Sequence, residues 1–263
     1  MSRGSELEPV GLLDEGTNLI HIGPEKTGST AIQSAFASLR PRLKNYGVVY
    51  PGNPTYPRPY IEALGFRGMS GAKPRDPAEW PALLEEVSKA EDKRVLISHE
   101  QLGRSTDDQI RRVIENLGGS RPHVLMVARR YDTYLPSQWQ QSVKARVTRS
   151  YQDFLHLVMQ EESDHPLWRR IWLPHDTADQ VRRWASIVGF DAVTVVVAND
   201  MDRALLPRTF ERMFGLPDGL VGENVRRSNR SLTYPEAELL RQFVLAAMPH
   251  ARNKSINKAR VLF

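Results

Sequence analysis

Residues 18–30 read NLIHIGPEKTGST and run directly into AIQSAFASLR at 31–40. The apolar run 19–23 ends at a Gly-Pro pair. Beyond it Ile32, Phe36 and Leu39 recur at i, i+4 and i+7, the spacing of one helix face, with Pro41 just after the stripe. A buried strand that turns through a glycine-containing loop into a helix start aims backbone N–H groups and the positive end of the helix at one point. Such a point binds phosphate.

Four further apolar runs read as strands, at 47–50, 94–100, 124–129 and 192–198. LIHIG, VLMVAR and AVTVVVA lack clean alternation, as expected of strands covered on both faces of a parallel sheet. Helical patterns separate them, near 80–90, 107–117, 133–146, 151–161, 203–214 and 235–247. Val181, Trp184, Ala185 and Val188 form another stripe, opened by a Thr177-x-x-Gln180 capping box and closed by Gly189. The alternation predicts an α/β fold, a central parallel sheet flanked by helices on both faces. Residues 52–79, rich in Pro, Gly, Tyr and Arg, read as a long loop. Residues 164–174 (DHPLWRRIWLP) read as a packed connection between prolines. No internal repeat is present.

The chain has 263 residues, 40% hydrophobic and 25% charged, which excludes collagenous and mainly disordered classes. A net charge of +5 favours an anionic ligand or partner. With no cysteine there is no disulfide, thiol catalysis or cysteine metal site. The first residues carry acids where a signal peptide needs an apolar run, and no 18-residue apolar segment occurs, so the expectation is a soluble, cytoplasmic protein without a membrane span. Residues 1–17 read as a disordered N-terminal segment and 18–263 as one domain. The abrupt end after the basic run NKSINKARVLF leaves C-terminal truncation open.

Gly23 and Gly28 have the GxxxxG spacing of a Walker A loop, but Ser29 stands where the lysine belongs, and the loop's lysine is Lys26. From there it could reach a leaving-group oxygen on a shorter phosphate chain. PEKTGST resembles the 5′-phosphosulfate-binding loop of sulfotransferases that use 3′-phosphoadenosine 5′-phosphosulfate (PAPS), commonly PKTGTT or PKSGTT, with Glu25 a departure from the common form. The resemblance implies a P-loop NTPase-like sulfotransferase fold of the bacterial type, with PAPS as donor. It also implies that Lys26 contacts the 5′-phosphate and the bridging oxygen, while Thr27, Gly28, Ser29 and Thr30 supply backbone N–H and hydroxyl donors to the 5′-phosphate.

A second motif agrees with the first. Arg129 closes a strand and Ser137 follows eight residues later, early in a helix, which is the Arg-x7-Ser spacing of the family's 3′-phosphate motif. An arginine fork and a hydroxyl can meet one terminal phosphate, and ligands of open α/β sheets bind at that edge. The adjacent Arg130 is a rival at a spacing of seven. The stretches WASIVGFDAVTVVVANDM, LLPRTFERMFGLP and RSNRSLTYPEAELLR are also similar to bacterial members, so the resemblance spans roughly residues 17–248.

Sulfuryl transfer needs a base for the acceptor oxygen. The end of RVLISHEQL offers two. Glu100 lies in an S-x-E-x-L pattern similar to bacterial and carbohydrate-acting members, and His99 aligns with the histidine of cytosolic members. Glu100 is favoured as base, with His99 as alternative or partner. Protein cations can stabilise the leaving nucleotide, so no metal is expected, and His21, His123, His156, His165, His175 and His250 form no close ligand pattern.

Two alternatives stay open. One is a P-loop kinase or NTPase with a degenerate Walker A loop, in which Asp200 would organise Mg²⁺. The other is a non-enzymatic basic protein binding nucleotide or polyanion, in which Arg252, Lys254, Lys258 and Arg260 would contact nucleic acid, although no recognised nucleic-acid motif supports it. The expected acceptor is a small molecule or glycan: a carbohydrate, lipid or small natural product. Its pocket is assigned to 52–79 and 164–174, where Arg67, Arg169 and Arg170 suit an anionic or sugar-like acceptor and Tyr56, Tyr60, Trp168 and Trp172 a flat or lipid one.

Overall fold

The strands assemble in an order that places the loop at 22–30 in the middle of a sheet. In the computed structural model, residues 10–52, 79–118, 121–160, 164–225 and 232–247 are described. Five strands, Thr17–His21 (β1), Val48–Val49 (β2), Arg94–Ser98 (β3), Arg121–Ala128 (β4) and Val193–Val197 (β5), form one sheet in the order β2-β3-β1-β4-β5. Every pairing is parallel, with Ile20 opposite Ile97 on one side and Val124 on the other. The chain leaves β1 toward β2 and leaves β4 toward β5, so the order reverses beside β1. In open α/β sheets such a reversal opens a crevice at the carboxyl ends of the strands.

Contacts divide the chain into two compact units. The first, Met1–Ala128 with Pro174–Arg227, contains the sheet. Its helices are Ser29–Leu43 (α1), Glu79–Ser88 (α2), Asp107–Leu117 (α3), Thr177–Val188 (α7) and Leu205–Phe214 (α8). Alternate strand residues enter two separate cores. Leu19, Leu96, Leu125 and Val127 pack with Ile32, Phe36 and Leu39 of α1 and with Phe210 and Phe214 of α8. Ile20, Ile97, Val124 and Met126 pack with Leu83, Ile110, Val113 and Trp184 from the helices on the other face. Both faces are apolar because both are covered, which is why the central strands do not alternate. Phe36 anchors its layer with ring centroids 5.7 Å from Phe210 and 5.6 Å from Phe214.

β1 begins at Thr17, and ahead of it Leu13 is already buried, its N–H donating to the Met213 carbonyl at 3.0 Å. α1 does not stop before Pro41 but carries it inside and continues to Leu43. The cap of α7 is Asp176, which accepts from the Asp179 N–H at 3.0 Å, rather than Thr177. The Gln180 amide instead donates to the Gly103 carbonyl at 2.8 Å, tying α7 to the turn after β3.

The second unit is Arg129–Leu173 with Ser228–Phe263. Its described part contains Tyr131–Lys144 (α4), Tyr151–Val158 (α5), Tyr234–Ala247 (α9) and most of Pro166–His175 (α6). Tyr134, Trp139, Phe154, Val158, Ile171 and Leu240 form its core. The expected connection at 164–174 is a helix: Pro166 sits at the first helical position, where its missing N–H costs nothing, and Leu167 and Ile171 face the core at i, i+4. The Trp168 and Trp172 indoles donate to the Gln160 and Val158 carbonyls at 3.2 and 2.7 Å, while Arg169 and Arg170 are exposed. Tyr56, Tyr60 and Arg67, and the C-terminal Arg252, Lys254, Lys258 and Arg260, lie outside the described residues. Among the described residues no helix is long and apolar enough to cross a membrane.

Candidate active site

Parallel pairing of β1 with β3 puts His21 opposite Ser98, so the loop after one strand and the turn after the other leave the sheet side by side. The ladder continues past both ends, with the His99 N–H donating to the His21 carbonyl and the Val127 N–H to the Gly23 carbonyl. Gly23 has φ +88°, and a Cβ built there would lie 3.0 Å from both Cα and Cβ of Glu100. Glycine at position 23 is therefore required both by its positive φ and by the close approach of the backbone and Cβ of residue 100. The Gly23–Pro24 peptide is cis.

The loop then opens α1 without a side-chain cap. Gly28 is the N-cap residue at φ +99°, and the side chains of Thr27 and Ser29 turn inward, both donating to the Pro24 carbonyl, at 2.6 and 3.3 Å. These hydroxyls brace the loop. The N–H groups in the first turn of a helix have no acceptor within it, so the start of α1 offers donors and a positive dipole end to an anion. Lys26 is exposed with φ +67°, at the crest of the loop, and Thr30 is exposed in the first turn.

Glu25, the departure from the common loop pattern, has a local function. Its carboxylate is 3.3 Å from the Arg104 guanidinium and 3.5 Å from the Gln101 amide, both in the 3₁₀ turn Glu100–Arg104. The phosphate loop and the turn bearing the candidate base are thus fastened to each other. His99 caps the same turn, its Nδ1 accepting from the Gln101 N–H at 3.1 Å, which leaves Nε2 to carry the proton of the neutral ring. Glu100 is half-buried and accepts from the Gln33 amide at 3.3 Å.

Beneath them His21 is a core histidine. Its Nδ1 is 2.8 Å from the Ser98 hydroxyl and its ring meets Phe210 edge-on at 5.3 Å. Burial lowers its pKa from 6.5 to about 4, against the opposing pull of the Glu100 charge, so it is neutral near pH 7. His123 is also shifted down by burial, and its Nε2 is 2.8 Å from the Thr194 hydroxyl.

The remaining expected residues belong to the second unit. Arg129 immediately follows β4, and its Nε donates to the Thr133 hydroxyl at 3.2 Å. Ser137 lies in the second turn of α4, half-buried. The rival Arg130 pairs with Asp132 at 2.5 Å and holds that exposed carboxyl below its usual range through the hydrogen bond between them. Lys26, Thr27, Gly28, Ser29, Thr30, His99 and Glu100 are therefore gathered within the first unit, and Arg129 and Ser137 within the second. Asp200 lies past the end of β5, an edge strand separated from β1 by β4. Sequence reading missed Gln33 and Arg104, since a helical glutamine and a turn arginine carry no motif of their own.

No family model and no curated protein matches the chain. Among solved structures it is similar to a sulfotransferase from Alicyclobacillus acidocaldarius, with 15% identity and a TM-score of 0.48 over 95% of this chain and 99% of that one. It is also similar to the sulfotransferase domain of the olefin synthase from Synechococcus PCC 7002, with 13% identity and a TM-score of 0.44 over 95% of this chain and 98% of that one.

Proposed function

We propose that the chain is a sulfotransferase that moves a sulfuryl group from PAPS to an acceptor hydroxyl. The observation that carries this reading is the junction at the carboxyl ends of β1 and β3. There the loop that carries Lys26 and opens the uncapped α1 packs its first residue, Gly23, against Cα and Cβ of Glu100, and α1 reaches the Glu100 carboxylate through Gln33. An anion cradle and a carboxylate base side by side suit transfer of an anionic group to a neutral oxygen.

In the proposed reaction the acceptor oxygen attacks sulfur in line with the departing nucleotide. A new S–O bond forms while the bond from sulfur to the 5′-phosphate oxygen breaks. Glu100 takes the acceptor proton, and adenosine 3′,5′-bisphosphate leaves with the electron pair of the broken bond. Lys26 faces the charge growing on that bridging oxygen, a preorganised electrostatic contribution of the kind that dominates many active sites. Backbone N–H groups at Thr27, Gly28, Ser29 and Thr30 hold the 5′-phosphate, and the Thr27 and Ser29 hydroxyls keep the loop in shape through Pro24. Arg129 and Ser137 take the 3′-phosphate. His99 orients the turn through its cap to Gln101 and serves as partner to the base. The protein supplies the cations for the leaving group, so the reaction as proposed runs without a metal, in a soluble, cytoplasmic enzyme.

The test is Glu100→Gln beside His99→Ala, assayed with ³⁵S-labelled PAPS against phenolic, sugar and long-chain alcohol acceptors. Glu100→Gln is expected to lower kcat by about 10²–10⁴-fold, the usual contribution of a general base, with affinity for adenosine 3′,5′-bisphosphate within about two-fold. A loss of that size in His99→Ala alone would move the role of base to His99. Full turnover in both variants would refute the mechanism.

A further inference from the structure

The helix that begins at the phosphate loop also reaches the proposed base. Gln33 stands on α1 just past its first turn, and its Nε2 is 3.3 Å from three acceptors: the Ser98 carbonyl, the Ser98 hydroxyl and Oε2 of Glu100. The carbonyl and the carboxylate can only accept, so the NH₂ end of the amide must face them, which fixes its orientation. Ser98 is in turn fixed. It ends β3, is fully buried, and its hydroxyl is 2.8 Å from Nδ1 of His21, the neutral core ring packed against Phe210. A continuous polar chain therefore runs from His21 through Ser98 and Gln33 to Glu100.

Glu100 has the long, rotatable side chain of any glutamate, and a base must be held within hydrogen-bond reach of the proton it removes. Its backbone is fixed by the close approach of Gly23 and by the turn that Glu25 clamps through Arg104. Neither contact fixes the carboxylate itself. The Gln33 amide does so from one side. We propose that Gln33 is a positioning residue, holding Glu100 by Oε2 so that Oε1 meets the acceptor hydroxyl, and that it thereby registers the base to the helix whose start binds the donor. The inference rests on Glu100 being the base.

Gln33→Leu removes the amide with little change in volume, and Glu100→Ala removes its target, so the two variants and their combination form a double-mutant cycle. The cycle is read twice, once as kcat with PAPS and the best acceptor of the panel, and once as urea unfolding. Gln33→Leu is expected to lower kcat by about ten-fold or more with KM for PAPS within two-fold, and to add less than two-fold in the Glu100→Ala background. In unfolding, the pair is expected to couple by at least about three-fold in the equilibrium constant, within the range of contacting residues. Additive losses of kcat would overturn the positioning role, because a purely structural glutamine acts alike with or without Glu100. Additive unfolding would overturn the contact. Failure of the wild-type protein to use PAPS would refute the sulfotransferase reading, and the unfolding cycle would then still decide whether Gln33 holds Glu100.

Discussion

Gly23→Ala tests the junction between the phosphate loop and Glu100. Two costs combine at this position. The backbone sits at φ +88°, where an L-residue with a Cβ is strained by about 1–2 kcal/mol. The new Cβ would also lie 3.0 Å from the Cα and Cβ of Glu100, atoms that cannot rotate away, and overpacking of this kind adds about 1–3 kcal/mol. The sum is roughly 2–5 kcal/mol, or a fall in Tm of roughly 4–20 °C for a chain of this size. Gly47→Ala separates the two costs, because Gly47 has φ +65° but nothing within 4 Å of an added Cβ, so only the strain remains. Thermal unfolding of the two variants, followed by circular dichroism, should show the larger loss at Gly23 by several degrees. Equal losses would mean that the loop and the acid are not in contact as described, and the reasoning from that contact would fall.

Three other outcomes are expected. Lys26→Ala should reduce PAPS turnover by about 10²–10³-fold with Tm within about 2 °C, since the side chain is exposed; retained turnover would remove Lys26 from the chemistry. Arg129→Ala should bring the affinity for adenosine 3′,5′-bisphosphate, measured by calorimetry, down to that for AMP, and an unchanged preference for the bisphosphate would place the 3′-phosphate elsewhere. For pH, His21 binds its proton at 6.5 when unfolded and at about 4 when folded, so the unfolded chain holds the extra proton in between. Stability should fall as pH drops from 6.5 to 4, by about 3 kcal/mol from this group, and His21→Asn should flatten the dependence of Tm on pH across that window.

Much of the fold was legible because buried strands and amphipathic stripes follow directly from which faces are covered. All five apolar runs became strands in one parallel sheet, with ends shifted by a few residues. The largest shift was the start of β4, where Arg121, Pro122 and His123 are polar or irregular in sequence but are drawn into the sheet by pairing with Thr17, Asn18 and Leu19. α6 was missed because its prolines read as brackets, although Pro166 is in the position where proline starts a helix. Asp176, one residue before the expected Thr177, caps α7, and the side chain of Gln180, the other half of the expected capping box, donates to Gly103 instead.

The candidate site divides along similar lines. The residues themselves marked the strand, glycine loop and helix start as a phosphate site, while the choice of Lys26, Glu100, Arg129 and Ser137 within it came from the resemblance to the family's motifs. The inward turn of Thr27 and Ser29 to Pro24 was not legible, because a hydroxyl can serve the backbone or a ligand from the same position. Nor was the clamp from Glu25 to Arg104, or the reach of Gln33 to Glu100. Those partners are 79 and 67 residues apart, and only the pairing of β1 with β3 brings them together.

The most direct measurement of the central claim is thermal unfolding with adenosine 3′,5′-bisphosphate, with and without Mg²⁺, beside ATP with Mg²⁺. At about a hundred times its Kd a ligand adds roughly 2.7 kcal/mol, worth a rise in Tm of roughly 5–10 °C at this size. That rise is expected with the bisphosphate, and to the same extent with or without Mg²⁺. A rise only with ATP and Mg²⁺ would contradict it and turn the displaced lysine into a variant of a kinase loop.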